Sequence, residues 1–135
     1  MLTVSDANRA IAAALARARH IKAKIAVSVC DEGGHLVAFQ RMDGTFSESI
    51  PLAIGRAIAA AASRKSSADR DTSFENLQRV WRVAGAGLPI VPGPGGRAIT
   101  RDVQTIGAVG VSGSATEQEN EQCAKAGVDA LDQSS

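Results

Sequence analysis

Cys30-Asp31-Glu32-Gly33-Gly34-His35-Leu36-Val37-Ala38-Phe39-Gln40-Arg41-Met42-Asp43-Gly44 reads as the end of one strand, a tight turn, a second strand and a charged exit. Upstream, Ile25-Ala26-Val27-Ser28-Val29-Cys30 is rich in β-branched and small apolar residues, the composition of a buried strand. Asp31 to Gly34 supplies the turn, because glycine takes positive φ without steric cost. Two strands joined this tightly are antiparallel, since a parallel pair needs a crossover of about a dozen residues or more. That choice decides the fold class.

The flanking elements follow from periodicity. Ser5 or Thr3 caps a helix to about Lys22, with Ala7, Ile11, Ala14, Leu15, Ala18 and Ile21 on one face. Ser47 and Ser49 precede Pro51, a good first-turn residue, and an alanine-rich helix runs to about Lys65. A third helix is expected from Asp71 or Thr72 to Ala84, followed by a Gly/Pro loop over Gly85 to Gly96. A short strand over Arg97 to Arg101 turns at Asp102 into Thr105 to Gly113. There Ile106, Ala108 and Gly110 alternate with Gly107, Val109 and Val111, the pattern of a central strand approached closely by a ligand or another backbone. Thr116 caps a last helix, Glu117 to Leu131. The expected order, α-β-β-α-α-β-β-β-α, is an α/β (α+β) domain: an antiparallel sheet flanked by helices, one domain over residues 1–135.

Composition narrows the function classes. Fifteen basic and fourteen acidic residues leave a net charge of +1, which gives no electrostatic case for nucleic acid or an anionic membrane. The basic runs Arg17 to Lys24 and Arg64 to Arg70 read as solvated helix faces. No apolar stretch nears the ~20 residues that span a bilayer. The N-terminus lacks a basic segment followed by an apolar core, and Cys30 and Cys123 form no CxxC pair, so free thiols and a cytoplasmic location are expected. Alanine dominates and tyrosine is absent; such a core is built of small contacts, and self-association into a homo-oligomer would add burial.

Few residues carry chemistry. His35 can ligate a metal or haem iron, or move a proton; a polar turn residue bonding its own backbone is the alternative. His20, late in the first helix, either ligates haem iron or complements the helix dipole. Arg41 and Asp43 alternate onto one strand face, as a structural ion pair or as an arginine fixing a carboxylate ligand. Gly95, Gly96 and the Gly110-Val111-Ser112-Gly113 turn present backbone amides suited to an anion, but match neither a Walker loop nor a dinucleotide fingerprint. Ser112 sits in Gly-x-Ser-Gly, not in the Gly-x-Ser-x-Gly of a hydrolase elbow. No pair of histidines has zinc spacing.

Asp31 to Phe39, Arg41-Met42-Asp43-Gly44 and Ile106 to Gly113 closely resemble the signature segments of the GlcG/HbpS-like family, which includes the C-terminal domain of PduO-type proteins. The resemblance implies a profilin-like fold with a five-stranded antiparallel sheet, assembly into dimers and larger oligomers, and haem or another small ligand bound near the sheet and second helix. It also implies two departures. Where the family reads Lys-Ala-x-Thr-Ala, this chain has Arg56-Ala57-Ile58-Ala59-Ala60, so Ala59 replaces a hydroxyl and a wider pocket is expected. Where the family tends to Gly-Gly-Val-Pro-Ile, this chain has Gly95-Gly96-Arg97-Ala98-Ile99, which puts a cation near the site. The leading expectation is a protein binding haem or a related tetrapyrrole, with His35 or His20 on the iron. The alternative is an enzyme on a small carboxylate of aromatic or hydroxy-acid catabolism, with Arg41, Arg56 or Arg97 as clamp and His35 or Asp43 as proton carrier. A non-catalytic structural oligomer is the third reading.

Overall fold

The structure, a computed structural model, describes residues 1–63, 91 and 93–132. Three helices and four strands lie among them: α1 (Val4–His20), β1 (Ala26–Asp31), β2 (Leu36–Arg41), α2 (Ser49–Ser63), β3 (Gly96–Arg101), β4 (Gln104–Ser112) and α3 (Glu117–Asp132). The helix expected over residues 71–84, and most of the Gly/Pro loop after it, lie outside the described residues.

Every strand pairing is antiparallel, in the order β2-β1-β4-β3. The sheet therefore fits the antiparallel expectation, with one correction. Five strands are expected and the described residues form four. Among the described residues β3 turns straight into β4 through Asp102 (φ 52°) and Val103 (φ 69°).

Side-chain alternation then sorts the helices onto two faces. Val27 and Val29 of β1, with Val109 and Val111 of β4, join Ala7, Ala10, Ile11, Ala14 and Leu15 of α1 and Cys123 and Ala124 of α3 in the larger core. The opposite face carries smaller groups: Cys30 and Ala108 pack on Ala57, Ala60 and Ala61 of α2. Gly110 makes this approach possible, since a Cβ there would collide with the Ala53 carbonyl oxygen and lie 2.5 Å from the Ala57 nitrogen. The close backbone expected at β4 is that of α2. Ser28, buried between them, donates its hydroxyl to the Ala53 carbonyl at 2.8 Å. The alanines thus bring the helix down onto the sheet and do not open the wider pocket expected of them; Ala59 itself is buried.

The helix ends differ slightly from expectation. Thr3 is the α1 cap, in a reciprocal box with Asp6: Thr3 Oγ1 accepts from the Asp6 amide at 3.0 Å and Asp6 Oδ2 from the Thr3 amide at 3.1 Å. The helix stops at His20 rather than Lys22, because Lys22 turns left-handed (φ 60°) and the Ala23 amide bonds back to the Ala18 carbonyl at 2.8 Å.

Candidate functional site

The first turn of α3 begins at Thr116, whose hydroxyl accepts from the Glu119 amide at 3.2 Å. Just before it, the Ser114 amide donates to Asn120 Oδ1 at 3.1 Å. These bonds shape the segment that runs from the end of β4 into α3, beside the start of α2. Between them opens a cleft of about 340 Å³, lined by Phe46, Glu48, Ser49, Leu52, Arg56, Ser112 to Glu117 and Asn120.

Arg56 is the charged floor of this cleft. Its side chain is only 9% exposed. Nη1 donates to the Val111 carbonyl at 2.9 Å, Nη2 stands 3.8 Å from Glu117 Oε1, and Nε has no partner among the described residues. Burial pulls the guanidinium pKa down from its ordinary value, and the Glu117 and Glu121 carboxylates oppose that shift. Ser112, buried at the end of β4, reaches the same cleft.

Arg97, Gly95 and Gly96 are arranged differently. Glu121 accepts from Arg97 Nε at 2.7 Å through one oxygen and from the Gly95 amide at 2.7 Å through the other. Gly95 in turn accepts from the Val111 amide at 2.7 Å, and its φ of 116° suits glycine. Gly96 is buried and pairs with Gly110 as β3 begins. The expected cation is present, then, but held by α3 and not among the cleft-lining residues.

The hairpin residues stand apart from the cleft. Asp31 Oδ1 accepts from the Gly33 and His35 amides, both at 2.9 Å, and lies 3.1 Å from His35 Nδ1. The His35 side chain is 81% exposed. With Nδ1 turned to a carboxylate, Nε2 is the nitrogen left to ligate, the arrangement common behind metal-bound imidazoles. His20 ends α1 and is also exposed. Neither lines this cleft or a second one of about 670 Å³ beside Met1, Glu32, Thr100 and Gln104. Arg41 and Asp43 are exposed on and just beyond edge strand β2, and no ion pair joins them. Among the described residues no three His, Cys, Asp or Glu side chains cluster to hold a metal ion.

Glu117, Glu121 and Asn120 were not singled out by sequence reasoning. The signal for them was the Thr116 cap, which fixes which residues of α3 face the end of β4.

An antiparallel α+β domain with helices on both faces of the sheet and an arginine-floored cleft is the class defined by this geometry. A family model described as haem degrading protein HbpS-like matches residues 2–129, and the chain belongs to that family. Protein GlcG of Escherichia coli (strain K12) is 32% identical over 113 residues, covering 83% of this chain and 81% of the relative. An uncharacterized 15.0 kDa protein from the dhaT-dhaS intergenic region of Citrobacter freundii is 29% identical over 129 residues, covering 87% and 84%. Among solved structures, a PduOC:heme complex superposes with a TM-score of 0.76 at 24% identity, over 96% of this chain and 94% of that one, a likeness of fold.

Proposed function

We propose that this chain is a small-ligand-binding protein that takes haem or a related tetrapyrrole, with His35 or His20 as axial ligand. Membership of a family described as haem degrading supports the reading, as does the heme named in the PduOC structure. The observation that carries it is the Asp31–His35 pair. A carboxylate beside Nδ1 leaves Nε2 as the outward nitrogen. Self-association belongs to the same reading, because a surface-held macrocycle gains burial from a second subunit. A cytoplasmic setting is supported by Cys30 and Cys123, both buried free thiols.

Titration with haemin tests this. A Soret band that saturates with added haemin and is lost in the H20A/H35A double variant is expected. An unsaturable band that is unchanged in that variant is surface adsorption and contradicts the reading.

A second reading, action on a small carboxylate, is favoured by the position of Arg56 in the cleft, although the expected proton carriers His35 and Asp43 do not line it.

A further inference from the structure

We infer that Arg56 anchors a carboxylate-binding site in the cleft between α2 and α3, and that Glu117 is its displaceable stand-in when no ligand is bound. This deepens the carboxylate reading and does not depend on either histidine.

A guanidinium taken out of water is costly unless its donors are matched by acceptors in good geometry. Arg56 is matched only in part: Nη1 reaches a backbone carbonyl and Nε reaches nothing among the described residues. Its one nearby carboxylate in the cleft, Glu117, is 3.8 Å from Nη2, beyond hydrogen-bond range. That carboxylate belongs to a side chain 62% exposed, so it can swing into water with little loss. Glu121, the other acid felt by Arg56, is committed to Arg97 and the Gly95 amide. A ligand carboxylate would meet the guanidinium fork more closely than Glu117 does.

The surroundings suit a compact acid. The first turn of α3 ends in the cleft, and a helix N-terminus favours an anion. Ser112 adds a hydroxyl, whereas that of Ser114 already donates to the Thr116 carbonyl at 2.6 Å, and Phe46 and Leu52 give an apolar wall for a short carbon chain. A cleft of about 340 Å³ lies at the small end of ligand pockets. Glu48 also lines it and, like Glu117, disfavours acids with several charges. The predicted ligand is therefore a small monocarboxylate or hydroxy acid, or one carboxylate arm of a larger molecule.

The test follows amide chemical shifts of Ser112, Gly113 and Ser114 in the full chain during titration with acetate and with glycolate, against sodium chloride at equal ionic strength. Saturable shifts specific to the carboxylates are expected. Glu117→Gln removes the competitor and should tighten binding about threefold or more, while Arg56→Met should weaken it by at least about tenfold. Because Arg56 is buried, the exposed Glu117→Gln variant keeps the test decisive if Arg56→Met does not fold. No shifts up to about 50 mM acid, shifts reproduced by chloride, or an unchanged Kd in Glu117→Gln would each overturn the proposal. Repeating the titration with haemin bound distinguishes the sources: displacement assigns the carboxylate to the tetrapyrrole, and simultaneous binding to a free acid; both retain the site.

Discussion

Gly110→Ala probes the contact on which the whole cleft depends. Gly110 lies on central strand β4, opposite Ser28 on one side and Gly96 on the other. An added Cβ would collide with the Ala53 carbonyl oxygen, and would stand 2.5 Å from the Ala57 nitrogen and 3.0 Å from its Cβ. Two of these three obstacles are backbone and cannot rotate away, so α2 must retreat by about 1 Å to restore ordinary contact. Overpacking of this kind costs about 1–3 kcal/mol. Retreat also stretches the Ser28–Ala53 bond of 2.8 Å and the Arg56–Val111 bond of 2.9 Å, each worth about 1 kcal/mol. The sum is about 3–5 kcal/mol. With a urea dependence of about 2 kcal/mol/M, the unfolding midpoint should fall by about 2 M. Gly33→Ala is the matched control. Its Cβ would meet the exposed His35 ring at 2.9 Å, a group free to move, and the expected change is within about 0.5 kcal/mol. A loss below about 1 kcal/mol in Gly110→Ala, or equal losses in the two variants, would refute the close approach of α2 to β4.

The α1 cap should make stability acid-sensitive. The Thr3 amide and the Arg9 guanidinium hold Asp6 down at about 2, against ~3.9 in an unfolded chain. A folded pKa below the unfolded one gives stability that is complete above pH ~4 and lost as pH falls toward 2, here about 2 kcal/mol. Urea midpoints measured from pH 6 to pH 2 should fall less steeply in Asp6→Asn than in the parent; identical slopes would contradict the assignment. The thiols should be silent in the native state, because burial pushes Cys30 up to about 12 and Cys123 up to about 11. Labelling with an aromatic disulfide at pH 8 should then follow the urea unfolding curve, and fast labelling without urea would count against that burial.

Much of the fold could be read in the sequence because strand signals here are local. The β-branched run before the Asp31–Gly34 turn, and the small–large alternation along β4, each needed only neighbouring residues. That alternation also carried the reading that a ligand or another backbone approaches the glycine face, and the structure puts the α2 backbone there. Where interpretation depended on residues distant in the chain, it went astray. Arg97 reads as a free cation until α3 delivers Glu121 to it. The alanines of α2 read as a widened pocket, but small side chains equally let two backbones close up, and only the packed sheet decides between these. Arg56 was named from a motif, yet its loose pairing with Glu117 emerges only from the turn that sets the start of α3 at the end of β4. Lys22 carries no sequence mark of a left-handed residue; the Ala23–Ala18 bond imposes it.

The most direct test of the functional reading compares haemin with iron-free protoporphyrin. The two share the macrocycle and both propionates and differ in the metal. If an imidazole of this chain holds the iron, haemin binds at least about tenfold tighter, equivalent to about 1.4 kcal/mol, and the difference disappears in the H20A/H35A variant. Equal affinities in the parent protein would contradict the account.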